Sequence, residues 1–175
     1  LAGFVAATFM RGVPFVQIPT TLLAMIDASI GGKTAVDTPA GKNLVGAFYP
    51  PRAVFSDPQV LATLPLNEIC SGLAEAIKHG VIADAPYLDA VASRASELLE
   101  TGGRKSDSML SLIVPSIQIK ADIVSRDERE EGLRKVLNFG HTIGHAVELV
   151  SGYALLHGEA VAIGMALESE LAERI

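Results

Sequence analysis

The chain has 175 residues, with 14 Lys plus Arg against 20 Asp plus Glu and a net charge of −6, a balance that argues against a nucleic-acid partner held by phosphate neutralisation. Apolar residues make up 49% and charged residues 19%, the balance of a core-rich globular protein rather than a disordered one. The single cysteine, Cys70, rules out an internal disulfide and fits a reducing cytoplasm, while the lack of an eighteen-residue apolar run or a basic leader with a cleavage site gives no expectation of a membrane span or signal peptide.

Residues 1–10 are apolar and Ala-rich, which predicts a helix closing near Arg11-Gly12, with Gly12 in the position that favours a left-handed residue. Residues 14–18 read as a short buried strand, and Pro19-Thr20-Thr21 ends it with hydroxyls suited to capping a turn or meeting a ligand. Asp27-Ala-Ser-Ile-Gly-Gly-Lys33-Thr34 joins two glycines to a lysine, a pattern that lets backbone and cation approach an anion. It is not a Walker A loop, because Asp27 stands where that motif needs glycine. Gly41-Lys42-Asn43 repeats the theme after the turn-rich residues 37–40, so a cationic loop region is expected.

Residues 53–55 read as a second short strand, and Asp57-Pro58 opens a turn with Asp as cap and Pro at the first helical position. From Pro65 the pattern changes to amphipathic helices over 66–82, 85–99, 108–126, 132–150 and 157–173, with Pro115 expected to kink or restart the third. Residues 101–107 read as a solvated linker and 126–131 as an exposed charged turn. The expected fold is thus an α/β portion over 1–64 followed by an all-α portion over 65–175, mostly helical overall. Leu1 lacks a cap and Ile175 lacks a stop signal, which suggests a segment of a longer chain.

Three of the four histidines fall between Lys135 and Ala160. His141 and His145, four apart, project from one face of a helix close enough to share a cation or an anion. Glu75 and Lys78, three apart, can form an ordinary intrahelical ion pair. A carboxylate with two imidazoles is also the donor set of a catalytic zinc with one open position, and this chain supplies those groups from separate helices.

Six segments in order carry a resemblance: Pro19-Thr-Thr-Leu-Leu-Ala, Asp27-Ala-Ser-Ile-Gly-Gly-Lys-Thr, Gly41-Lys-Asn-Leu-Val-Gly-Ala-Phe, Gly72-Leu-Ala-Glu-Ala-Ile-Lys, Asn138-Phe-Gly-His-Thr-Ile-Gly-His-Ala-Val-Glu and His157-Gly-Glu-Ala-Val-Ala. Their sequence and spacing resemble the 3-dehydroquinate synthase family of sugar-phosphate cyclases over essentially the whole chain. The resemblance implies a dinucleotide-binding α/β domain over 1–64 and a helical metal- and substrate-binding domain over 65–175. It implies bound NAD, a divalent metal (zinc, with cobalt as an alternative) and a homodimer. The implied reaction converts 3-deoxy-D-arabino-heptulosonate 7-phosphate to 3-dehydroquinate and phosphate, in the shikimate pathway of aromatic amino acid biosynthesis. It proceeds by transient oxidation, phosphate elimination, reduction and intramolecular aldol closure.

By the same resemblance the metal ligands are Glu75, His141 and His157, with His145 turned to substrate phosphate and proton transfer. Thr20, Thr21, Lys33, Lys42 and residues Val60, Leu61, Ala62 and Thr63 fall on the NAD side. Asp27, Asn43, Lys78, Lys120, Arg134 and Asn138 face substrate, with Lys120 and Arg134 suited to its carboxylate and Lys33, Asn43, Asn138 and His145 to its phosphate. Arg11 matches a position that reaches a neighbouring subunit's phosphate pocket. Competing readings are another sugar-phosphate cyclase, a metal-dependent alcohol dehydrogenase of the glycerol-dehydrogenase type, and a non-catalytic metal-binding module.

Overall fold

The computed structural model describes residues 1–39, 41–101 and 106–174. Helix α1 (Ala2–Thr8) leads through a tight turn, in which Met10 and Arg11 both take positive φ, to strand β1 (Val16–Gln17). Strands β2 (Lys33–Thr38), β3 (Gly41–Phe48) and β4 (Ala53–Val54) follow. The two shortest strands pair in parallel, Val16 with Ala53 and Gln17 with Val54. The expected strands at 14–18 and 53–55 are therefore both present but shorter.

The expected cationic loop is instead an antiparallel hairpin, with Lys33 opposite Phe48 and Val36 opposite Val45. Its physical basis is the β-branched Thr34, Val36 and Thr38 alternating along one strand opposite the apolar run Leu44 to Phe48 on the other, and Thr34 Oγ1 donates 2.8 Å to Ala47 O to fasten the two strands. The lysines noticed in sequence therefore project from strands.

The helical portion comprises α2 (Leu66–Ala83), α3 (Ala85–Thr101), α4 (Ser106–Arg126), α5 (His141–Val150) and α6 (His157–Glu173). Helix α2 is the axis of the molecule: residues 71–76 and 78–80 are all buried, so it is covered on nearly every side. Leu22, Met25, Ile26 and Leu61 join Ile69, Leu73, Tyr87, Val91, Leu98, Met109, Leu112 and Ile113 in one core. That core runs without interruption across residues 64–65, where sequence character changes.

Two expectations for the helices differ from what is observed. Helix α4 runs unbroken through Pro115, because the ring removes a single backbone donor while the flanking Leu112, Ile113 and Ser116 are locked in the core. By length and composition alone α4 is apolar enough to cross a bilayer, yet its buried face belongs to this core. The single helix expected over 132–150 is two pieces, a 3-10 segment (Leu133–Asn138) and α5, separated at Gly140, whose φ of 78° breaks the helical path. Residues 102–105 of the expected linker, and Ala40 of the expected turn, lie outside the described residues.

The charged segment 126–131 is built around one side chain. Asp127 accepts hydrogen bonds of 2.9 Å from the backbone N–H groups of Glu131, Gly132 and Arg134. These bonds, that from Arg134 foremost, hold its carboxyl below the usual carboxylate range.

Candidate metal and substrate site

Close helix approach brings the donor groups together. A Cβ on Gly158 would collide with the Ser71 backbone, and the Gly158 N–H donates 3.0 Å to Ser71 Oγ, so the N-terminus of α6 is pressed onto α2. A Cβ on Gly164 would likewise overlap the Gly140 carbonyl, which sets α6 against α5. Glu168 of α6 accepts from the N–H groups of Gly140 (2.7 Å) and Ile143 (3.2 Å), supplying the cap that α5 lacks in its own sequence.

As a result His157 Nε2 stands 3.4 Å, and His141 Nε2 3.7 Å, from Glu75 Oε1. Glu75 is fully buried, and its Oε1 has no hydrogen-bond partner among the described residues. Both imidazoles are fixed from behind: His141 Nδ1 lies 3.1 Å from Phe139 O, and His157 Nδ1 lies 3.3 Å from Glu148 Oε1. With hydrogen on Nδ1 each ring donates to those oxygens, and Nε2 is the ring atom left facing Glu75. One carboxylate oxygen and two imidazole nitrogens, mutually within 4.8 Å and partly buried, fit a divalent cation of the zinc type with a position open to the cavity. The orphaned Oε1 is the observation that supports the fit.

The electrostatics agree with a cation-ready site. Burial and the neighbouring Asp27 push Glu75 upward, but contact with the His157 ring and with Lys78 outweighs them and keeps the carboxyl below its ordinary value. Glu75 raises His157 above the usual imidazole range, against the effect of burial. Burial and then the Lys78 charge hold His141 below that range, and partial burial lowers His145.

A cavity of about 610 Å³ opens beside these groups, lined among others by Asp27, Lys33, Asn43, Lys78, Lys120 and Arg134, with Asn138, His141, His145 and His157 on the same wall. Its volume suits a small polar metabolite. Asp27, on a single π-type turn (Ala24–Ala28), is the centre of its charged floor. Lys120 Nζ donates to Asp27 O (2.6 Å) and Oδ1 (2.7 Å), and Lys78 Nζ lies 3.8 Å from the same oxygen while also pairing with Glu75. Burial opposes ionisation of Asp27, but the charges of Lys120 and then Lys78 outweigh it and set its carboxyl well below the ordinary range. Buried His79 donates to or accepts from Ser116 Oγ at 2.7 Å and reaches toward Asp27, joining α2 to α4 behind the floor.

Other expected residues are already engaged. Lys33 pairs with Glu130, whose Oε1 also accepts from Asn138 Nδ2 at 2.5 Å. Arg134 lines the cavity, but its two terminal nitrogens donate to Glu128 O (2.6 Å) and Gly31 O (2.8 Å), so the fork expected for a carboxylate is held by backbone carbonyls. Lys42 does not line the cavity; its Nζ lies 3.0 Å from Glu148 Oε1 and 5.1 Å from the centre of the Tyr153 ring.

Thr20, Thr21 and residues 60–63 lie off this cavity: Thr21 Oγ1 accepts from Ala24 N at 3.1 Å as a turn cap, and the Leu61 side chain is in the core. Arg11 is exposed and also away from the cavity. Glu130, Glu148, Glu168 and His79 were not singled out from the sequence. Glu148 sits inside the quoted motif seven residues after His141, so its spacing was visible although its partners were not.

Comparison with known proteins decides the family. Residues 1–71 match the 3-dehydroquinate synthase N-terminal family, and residues 72–175 match the 3-dehydroquinate synthase C-terminal family. The chain belongs to the 3-dehydroquinate synthase family. It is 52% identical over 172 residues to 3-dehydroquinate synthase of Pelobacter propionicus, covering 98% of this chain and 47% of that protein. It is 56% identical over 173 residues to the Thermosynechococcus vestitus enzyme of the same name, again covering 98% and 47%. The chain therefore spans about half the length of the curated relatives it matches.

Among solved structures, 2-epi-5-epi-valiolone synthase from Streptomyces hygroscopicus subsp. jinggangensis, with NAD+ and Zn2+ bound, superposes with a TM-score of 0.89 at 36% identity over 95% of this chain and 46% of that one. A 2-deoxy-scyllo-inosose synthase complexed with carbaglucose-6-phosphate, NAD+ and Co2+ gives 0.83 at 34% identity over 94% and 44%. These two solved structures thus share the fold described above.

Proposed function

We propose that the protein to which this chain belongs is a 3-dehydroquinate synthase, converting 3-deoxy-D-arabino-heptulosonate 7-phosphate to 3-dehydroquinate with loss of phosphate. Residues 1–64 are the later part of its NAD-binding domain and 65–175 its metal- and substrate-binding domain. The observation that carries this reading is the buried Glu75 carboxylate facing the Nε2 atoms of His141 and His157 at the edge of a lysine-rich cavity. The close similarity to curated enzymes of that name supports it.

Glu75, His141 and His157 hold the divalent metal, zinc or cobalt. When bound, that ion and NAD supply Lewis-acid polarisation of a substrate alcohol and a hydride acceptor that returns its hydride within the turnover. The chain's own residues supply position and charge. Lys120, with Arg134 once released from its carbonyl partners, binds the substrate carboxylate. Lys33, Asn43 and Asn138 bind the phosphate, and displacement of Lys33 and Asn138 from Glu130 accompanies that step. His145, exposed on the cavity wall with partial burial lowering its imidazole from the usual range, takes the proton removed ahead of phosphate departure. Lys78 and Asp27 fix substrate hydroxyls at the floor. Thr20, Thr21, Lys42 and residues 60–63 stand on the NAD side, and Arg11 completes the phosphate pocket of a second subunit, which makes the enzyme a homodimer; the single cysteine, Cys70, fits a cytoplasmic one.

A second reading, a cyclase for a sugar phosphate lacking a carboxylate, has in its favour the two solved relatives above. One assay separates the two. The full-length protein with NAD and zinc should release phosphate from the heptulosonate phosphate and lose that activity on chelation. Release only from a carboxylate-free sugar phosphate would establish the second reading, and undiminished turnover by metal-free enzyme would overturn the metal assignment.

A further inference from the structure

We infer that Glu148 is a positioning residue for the metal centre, and that Lys42 anchors it there. The inference rests on the metal reading of Glu75, His141 and His157 given above. Glu148 is 3% exposed, on the turn of α5 that faces the start of α6. Its Oε1 is shared between His157 Nδ1 at 3.3 Å and Lys42 Nζ at 3.0 Å. A buried carboxylate with these two partners has one geometric effect on His157: it selects the tautomer with hydrogen on Nδ1 and turns Nε2 toward Glu75. The same contact makes the imidazole a stronger donor. His141 achieves its orientation with a main-chain carbonyl, so His157 depends on a side chain where His141 does not.

Lys42 extends the relationship across the molecule. It projects from β3, 106 residues away in sequence, and its cation also rests over the Tyr153 ring just beyond α5. The hairpin that contributes Lys33 and Asn43 to the cavity is thereby joined to the helix pair that contributes the imidazoles. Through Glu148, the hairpin's seating sets the aim of His157.

His145, Glu148 and His157 are themselves close enough to form a second cation site. The Lys42 ammonium on Glu148 Oε1 opposes that use, since it occupies the oxygen with a positive charge. The remaining close group among the described residues, Asp27, Glu75 and His79, shares Glu75 with the proposed centre and has Lys78 and Lys120 against its carboxylates, so a single metal per chain is expected.

The test is metal binding by the full-length protein, stripped and then titrated with Co2+ or with Zn2+ against a chromophoric chelator. Glu148→Gln should bind about 10–100-fold more weakly, the range for loss of a carboxylate that orients a metal-bound imidazole. It should also alter the visible Co2+ spectrum while the metal-free protein keeps its melting temperature. Glu148→Asp should recover part of the affinity, and Lys42→Ala should lose less than Glu148→Gln.

Wild-type affinity and spectrum in Glu148→Gln, with metal lost in His157→Ala, would overturn the positioning role and leave the metal reading intact. Full affinity in His157→Ala would overturn the metal reading itself. Two ions per chain in the wild type, falling to one in Glu148→Gln, would make Glu148 a ligand and overturn the inference.

Discussion

His157 Nε2 lies 3.4 Å from Glu75 Oε1 although 82 residues separate the two in sequence, and neither ring nor carboxylate is free to turn away. His157 is held from behind by Glu148, and Glu75 is sealed within α2 against Lys78. His145, the nearer partner of His141 along the helix, has its ring 5.3 Å from that of His141 and 6.1 Å from that of His157, but it does not approach Glu75.

The first expectation follows from that difference. His157→Ala should lose most of its bound metal, whereas His145→Ala should keep it and lose turnover instead. Metal content after dialysis checks this, and equal loss in the two variants would return the ligand role to the i, i+4 pair.

Breaking the buried pair should be costly even without metal. Glu75→Ala leaves the Lys78 ammonium inside the protein with Asp27, 3.8 Å away, as its remaining ion-pair partner among the described residues. A loss of about 3 kcal/mol is expected for removing one partner of a buried pair. The urea midpoint of the metal-free protein measures it, and an unchanged midpoint would contradict the burial of this charge.

Helix approach is a third point of attack. Gly164→Ala places a methyl group into the Gly140 carbonyl and must push α6 from α5. Overpacking of this kind costs about 1–3 kcal/mol. Since His141 and His157 sit at the starts of these two helices, metal affinity should fall with stability. Wild-type affinity in a destabilised Gly164→Ala protein would show that the helix spacing does not set the donor distances.

The loop that delivers Arg134 should respond to acid. Asp127 is held below its ordinary value by backbone donors, so its contribution is fully present above the unfolded carboxylate range and is lost as pH falls through the lower folded value. The amides of Glu131, Gly132 and Arg134 should lose exchange protection over that acid window, and Asp127→Asn should weaken it already at neutral pH. Protection independent of pH in the wild type would contradict the arrangement.

Much of this architecture could be read from residues alone. The change from short strands to long amphipathic helices after Pro65 appears where periodicity placed it, and five of the helical positions were recognised by their apolar spacing. Gly140 was missed as a break because its neighbours keep helical periodicity on both sides, and the reason for the break is the close passage of α6. The hairpin was read as a loop because the Gly-Lys pairs at 32–33 and 41–42 and the turn residues between them stood out, while the pairing of the two strands lay across that turn.

In the site, the spacing of His141 and His145 suggested a pair, and only the family resemblance implied His157 in place of His145. Glu130, Glu148 and Glu168 could not be separated from ordinary surface acids. What distinguishes them is contact, buried for Glu148 and half-buried for Glu130 and Glu168, with groups on other elements, a property of packing rather than of spacing.

The most direct measurement is an anomalous difference map at the zinc edge from crystals of the full-length protein. One peak per chain is expected, about 2.0–2.2 Å from Glu75 Oε1 and from the Nε2 atoms of His141 and His157. A peak on His145 and Glu148, or none within reach of Glu75, would contradict it.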